Sequence, residues 1–292
     1  MTDKNRLGEW LKCGLLITDG AWGTQLQQRG LAPGTTPDTW NLTHPALVEA
    51  VARSYAEAGS QVVLTNTFRA NAIAMKDSSP ADLDAINRAG VALSKRAAGQ
   101  ALVFASIGPT GKMLVSGEIS RKEMTAAFAE QSASLASAGA DALLVETMSD
   151  IDEALLALEG ARHTGLPVIV SFAFDSGKNK DRTMMGATPE AVAVAMADAG
   201  ADAVGANCGV GVEHVVPICQ RLRAACNLPV WIKPNAGLPT IEGTAIHYGT
   251  SAEFFASHYK ALRDAGAAFL GGCCGSTPDF VRALVDARRI AL

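Results

Sequence analysis

The chain reads as an α/β protein of the (β/α)8 class, a TIM barrel in a single domain spanning residues 1–292. Three observations carry that expectation. Eight strand-like apolar runs alternate with helical patterns along the whole length. Ala58-Gly59, Ala138-Gly139, Ala199-Gly200 and Ala265-Gly266 each close a helical pattern just before the next strand, where glycine suits a left-handed C-cap. And 292 residues, 48% of them hydrophobic, can bury the core of one such barrel. A doubly wound open sheet is the alternative, but it usually has fewer strands and a phosphate-binding glycine loop after the first. Here that turn reads Asp19-Gly20-Ala21-Trp22-Gly23-Thr24 and lacks the dinucleotide spacing, as does the stretch from Gly205 to Gly211.

In chain order, the strand-like runs are Leu15–Ala21, Gln61–Thr67, Leu102–Pro109, Asp141–Met148, Pro167–Phe174, Asp202–Cys208, Pro229–Asn235 and Ala267–Cys273. Helices are expected at Pro45–Ala58, Ala81–Ala98, Glu123–Ala138 and Pro189–Ala199. In the first of these Leu47, Val48, Val51, Tyr55 and Ala58 recur at helical spacing and form one apolar face. After the last strand, Thr277 suits an N-cap and Pro278 the first helical position. The longest loops, near Ser176–Thr188 and Gly237–Thr250, follow strands five and seven and so belong to the barrel mouth.

Composition narrows the partners. Net charge is −4 with no basic blocks, which indicates neither nucleic acid nor an acidic membrane surface. No apolar run approaches the length of a membrane span. Charged residues within the first twenty, Asp3 to Lys12, are unlike a secretory signal. Six cysteines are too sparse for a disulfide scaffold, so reduced thiols and a cytoplasmic location are expected.

In a barrel of this kind, chemistry gathers at the C-terminal ends of the strands. The polar residues expected there are Asp19, Asn66-Thr67, Glu146, Cys208, Asn235, Cys273 and Cys274. Adjacent cysteines on a regular strand would face opposite ways, but the glycines of Gly271-Gly272-Cys273-Cys274-Gly275 let the backbone leave strand geometry. Strands six and eight flank strand seven, so Cys208, Cys273 and Cys274 can converge. Three soft thiolates suit Zn2+, with Zn–S bonds of about 2.3 Å and a fourth position left open for catalysis. Asn235 could fill that position through its amide oxygen until a substrate arrives. A trithiolate zinc is a poor Lewis acid for hydrolysis but well suited to holding another thiol as a nucleophilic thiolate. Asp19 and Glu146 could receive the ammonium of an amino-acid substrate, and backbone amides of the Gly20–Gly23 turn its carboxylate.

These motifs, in their order, resemble the homocysteine-binding domain of the homocysteine S-methyltransferases over nearly the whole chain. The resemblance is carried by Asp19–Thr24, Thr65-Asn66-Thr67-Phe68, Glu146-Thr147, Asn207-Cys208-Gly209, Lys233–Gly237 and Gly271–Gly275. Its most specific part is the split set of one cysteine and a Gly-Gly-Cys-Cys-Gly run. It implies a zinc-dependent barrel that transfers a methyl group to the zinc-bound thiolate of homocysteine, giving methionine. By motif match, Cys208, Cys273 and Cys274 would hold the zinc, Glu146 the substrate amine, and Asp19, Gly20 and Ala21 other polar groups, with Thr67 and Asn235 in the same neighbourhood. Glu146-Thr147 and Pro234-Asn235-Ala236-Gly237 look most like the homocysteine module of cobalamin-dependent methionine synthase. A betaine enzyme would be expected to carry an aromatic residue after the glutamate. The donor is then betaine, S-methylmethionine or a methyl-corrinoid, the last brought by a separate corrinoid protein. Gly209-Val210-Gly211 departs from the Gly-Pro expected after the first zinc cysteine, which bears on donor recognition.

Two other classes stay open from sequence. One is a non-catalytic barrel that binds homocysteine and zinc; the other is a lyase with Glu146 as base and Lys233 as a Schiff-base lysine. Several residues also have plainer readings. Cys13, Cys219 and Cys226 read as small apolar residues. Asp19 and Asn235 could simply order turns, and Trp22 and Phe68 either line a donor side or pack in the core. His44 starts and His163 closes a helix, while His247-Tyr248 is a weak candidate for closing the site.

Overall fold

The computed structural model describes residues 5–32, 34–242 and 245–291. Eight parallel strands form its centre: β1 (Leu16–Ile17), β2 (Val62–Leu64), β3 (Leu102–Ile107), β4 (Ala142–Met148), β5 (Val168–Phe172), β6 (Ala203–Cys208), β7 (Val230–Pro234) and, after the hairpin β8 (Pro239–Glu242) and β9 (Ala245–Tyr248), β10 (Ala267–Leu270). The ladder runs β1-β10-β7-β6-β5-β4-β3-β2, and a parallel bridge from Thr18 to Val62 brings its two edges together. The sheet therefore closes into the expected barrel.

Around it lie α1 (Asn5–Leu11), α2 (Gly23–Gln28), α3 (Trp40–Thr43), α4 (Pro45–Glu57), α5 (Pro80–Ala97), α6 (Arg121–Ser137), α7 (Ile151–Arg162), α8 (Pro189–Asp198), α9 (Val212–Ala225), α10 (Ala252–Ser257), α11 (Tyr259–Asp264) and α12 (Pro278–Ile290). Local chemistry sets their ends. Ser79 with Asp82, and Ser120 with Glu123, form reciprocal capping boxes at α5 and α6. Thr277 caps α12 with Pro278 in its first turn, as the sequence indicates. Gly59, Gly139, Gly200 and Gly266 all take positive φ after their helices, matching the Ala-Gly reading.

Alternation along the strands divides the core in two. On β4, Ala142 and Leu144 point into the barrel, while Leu143 and Val145 pack outward against helices. Inside, Phe104, Trp231 and Phe269 fill the barrel with ring centroids 5.2–6.0 Å apart. Trp10 of α1 closes the N-terminal end at 5.5 Å from Phe104. The barrel interior is thus plugged below, and the cavity beside Cys208, Cys273 and Cys274 lies at the C-terminal mouth. Among the described residues no helix is long and apolar enough to cross a membrane.

The structure departs from the sequence reading at the mouth. Regular pairing in β1, β2 and β10 stops at Ile17, Leu64 and Leu270, short of Ala21, Thr67 and Cys273. Beyond those points only single backbone bonds continue, such as Gly271 N–H to the Ile232 carbonyl at 3.0 Å and Cys273 N–H to the Pro234 carbonyl at 2.7 Å. The stretch Gly237–Thr250, read as a loop, contains the β8–β9 hairpin, and Tyr248 lies over the turn at Gly275.

Candidate metal and substrate site

Cys208 ends β6 with φ 55°, a left-handed conformation unusual for a residue with a Cβ. Cys273 and Cys274 follow β10 on a turn that crosses the end of β1 closely. A Cβ on Gly271 would overlap the Thr18 hydroxyl and the Asp19 carbonyl, so only glycine fits that crossing. Ser276 ties the turn down, donating to the Cys273 carbonyl at 2.7 Å. The three sulfur atoms come within 4.8 Å of one another, with Cys208 and Cys273 2.9 Å apart.

The chemistry of this donor set fits zinc. Three soft sulfurs gathered on one wall of an open cavity match a three-ligand site with a free position. The amide of Asn235 donates to the Gly209 carbonyl at 2.8 Å, while its Oδ1 is buried without a hydrogen-bond partner. Hydrogen bonds from Cys208 and Cys273, with a lesser one from Tyr248, pull the Cys274 thiol down to about 3. Hydrogen bonding to Cys273 and Cys274 pushes Cys208 well up.

Beside the thiols is a cavity of about 340 Å3, lined by Glu146, Thr147, Lys233 and the Gly20–Gly23 turn as well as all three cysteines. Glu146 is 7% exposed. Its Oε1 accepts from Ser106 Oγ at 2.5 Å and its Oε2 from Asn207 Nδ2 at 3.4 Å. Burial pushes its carboxyl up to about 7, against the pull of Lys233. Lys233 donates to Asp19 Oδ1 at 2.5 Å and to the Gly20 carbonyl at 3.3 Å. Burial alone would lower the lysine, but Asp19 and Glu146 outweigh it and hold it above its ordinary range. A charged amine held in a buried ion pair is a poor carbonyl nucleophile, which counts against the Schiff-base lyase.

Not every expected contact reaches the cavity. Asp19 is fully buried, and its second oxygen accepts from Trp22 Nε1 and the Leu64 amide, both at 2.8 Å. It has no oxygen free for an ammonium; it holds Lys233 and the Gly20 turn in place. Thr67 is likewise enclosed, donating to the Ser106 carbonyl at 2.7 Å. The backbone N–H of Ala21 is already bonded to Ser276 Oγ at 3.1 Å, and Tyr55 donates to the Ala21 carbonyl at 2.7 Å. Trp22 and Phe68 do line the cavity, joined by Asp38, whose carboxyl burial raises to about 6. Ser106 and Asp38 escaped the sequence reading, and Asn207 entered it only as part of the Asn207-Cys208-Gly209 motif, with no role assigned. Ser106 and Asn207 act through hydrogen bonds between strands, which no sequence pattern displays.

The homocysteine S-methyltransferase family model matches residues 16–288. The chain belongs to the homocysteine S-methyltransferase family. Within it, the chain is 29% identical to the methionine synthases of Mycobacterium leprae and Mycobacterium tuberculosis over 94% of its length. It spans only 24% of the length of either synthase. Its fold is similar to that of the homocysteine methyltransferase MmuM from Escherichia coli, solved in oxidized and metallated forms with TM-scores of 0.78 and 0.77. Identity to MmuM is 25%, covering 93% and 92% of this chain in the two forms and 95% of MmuM. The family thus accounts for the barrel and the order of the mouth motifs together.

Proposed function

We propose that this barrel is a zinc-dependent homocysteine S-methyltransferase that forms methionine. The observation that carries the reading is the convergence of Cys208, Cys273 and Cys274 on a cavity that also holds a buried carboxylate, Glu146. Cys208, Cys273 and Cys274 would hold the metal, whose positive charge favours the thiolate form of an approaching thiol.

The remaining steps belong to the chain's own residues. Glu146, oriented by Ser106 and Asn207, receives the substrate ammonium; that positive charge draws the carboxyl to its ionised form. Lys233 sits below the Gly20 turn and offsets the charge of a carboxylate resting there. Trp22 and Phe68 wall the opening through which the methyl group arrives. The thiol proton leaves first, to water at the open mouth, and a sulfur lone pair then forms the new S–C bond. The donor–carbon bond breaks with its electron pair staying on the donor. Holding both reactants in line, with water displaced, is the main contribution to rate. Calorimetric titration with L-homocysteine tests the site. Binding to the zinc-loaded protein should vanish in Cys273→Ala, and Glu146→Gln should weaken it by about 1.5–3 kcal/mol, a charge-assisted hydrogen bond. Equal binding by all three proteins would refute the assignment.

A second reading concerns the donor alone. Met113, Val115, Met184, Met185 and Leu238 are exposed in loops that follow β3, β5 and β7, on the mouth side. An apolar rim there suits a methyl group delivered by a separate corrinoid protein rather than by a small molecule such as betaine or S-methylmethionine.

A further inference from the structure

Glu146 and Thr147 are neighbours on β4, yet both line the cavity. In a regular strand they would point to opposite faces. The register of β4 against β5 breaks between Val145 and Met148, and Thr147 lies within that break at φ 62°. A left-handed β-branched residue is an outlier, and glycine is the usual occupant of such a bulge. Something outside the strand must hold threonine there.

The side chain of Asn207 does so. It reaches from β6 across the end of β5. Its Oδ1 accepts from the Thr147 backbone N–H at 2.9 Å, and its Nδ2 donates to Thr147 Oγ1 at 2.7 Å. The same Nδ2 lies 3.4 Å from Glu146 Oε2. On β5, Ser171 donates to Asn207 Oδ1 at 2.7 Å, which fixes the direction the amide faces. Asn207 is 2% exposed and does not line the cavity, so it acts through its neighbours rather than on substrate.

We propose that Asn207 is a positioning residue: its amide locks the left-handed bulge at Thr147 and thereby aims Glu146 at the amine of the substrate. What Glu146 meets rests on the function proposed above; the clamp itself does not.

The test is the pair Asn207→Ala and Asn207→Ala/Thr147→Gly. Asn207→Ala should raise the Kd for homocysteine about 100-fold while zinc content stays at the wild-type level, because the carboxylate loses its aim. Its crystal structure should show residue 147 relaxed to an extended conformation. Glycine at 147 takes the left-handed turn without help, so the double variant should regain about tenfold or more of the lost affinity. A merely structural asparagine would not be rescued by a change at 147. Thr147 still left-handed in the Asn207→Ala crystal, or a double variant no better than the single, would overturn the proposal. Should Asn207→Ala not fold, Ser171→Ala leaves the amide in place but free to turn; a Kd raised about tenfold supports the clamp, and a wild-type Kd overturns it. If wild-type zinc-loaded protein takes no homocysteine, the functional reading fails, and the conformation of residue 147 still decides the clamp.

Discussion

At the scale of single residues, the pair Lys233–Asp19 shows how charge is placed under the cavity. Both side chains are at most 2% exposed, so neither charge is screened by water. Removing one partner strands the other, a loss of about 3–5 kcal/mol. Lys233→Met should therefore destabilise the protein by about that amount, measured by urea unfolding. The double variant Asp19→Asn/Lys233→Met should lose less than the single, because no charge is left stranded. A single variant within 1 kcal/mol of wild type would mean that the pair is solvated in solution. In the sequence Lys233 was visible as a strand lysine and as the start of the Lys233–Gly237 motif, and its chemistry was open to a Schiff base. Its partner lies 214 positions away, at a distance of 2.5 Å. A contact of that range depends on barrel closure, which no local pattern encodes. The cysteines were legible for the opposite reason: glycine-flanked thiols at two strand ends have few other uses.

Among the elements, helices and their caps were the most readable, because capping residues and Ala-Gly ends act within one turn of chain. Strand ends at the mouth were the least readable. Past Ile17 and Leu270 regular strand pairing gives way to single backbone bonds, such as Cys273 N–H to the Pro234 carbonyl at 2.7 Å, joined by bonds from Ser276 and Tyr55 that no local pattern shows. The loop after β5 is fastened in a similar tertiary way. Arg221 of α9 donates two bonds to Glu190 of α8, at 2.6 and 2.8 Å, and a third to Asp181 at 2.6 Å. The Arg221 hydrogen bond pulls the Glu190 carboxyl down to about 2 from its usual 4.5. A carboxyl whose folded value lies below its unfolded one stabilises above the unfolded value and loses that effect as pH falls. The contribution is then complete above about pH 4.5 and fades toward pH 2. Glu190 is 47% exposed, so screening limits it to about 1 kcal/mol. Arg221→Met should cost about that much at pH 7, and the difference should shrink as the pH approaches 2. A difference independent of pH would assign the loss to packing.

The whole molecule separates stability from chemistry along the barrel axis. Aromatic rings and α1 fill the lower barrel, while polar groups, strained backbone and thiols occupy the mouth. That separation explains why the fold class could be read from periodicity alone and the contents of the mouth only in part. Apolar alternation specifies a closed, filled barrel. Which mouth residues face the cavity and which support it depends on bulges and cross-strand bonds such as those of Asn207. It also allows the cysteines to change without unfolding the barrel, so their loss should remove activity selectively. The most direct test is methionine formation from L-homocysteine by the zinc-loaded protein, with betaine, S-methylmethionine and methylcobalamin offered separately. Turnover with one of them, abolished by Cys273→Ala in a protein that stays folded, is the expected result. A folded, zinc-loaded protein that neither binds L-homocysteine nor makes methionine from any of the three would contradict the assignment.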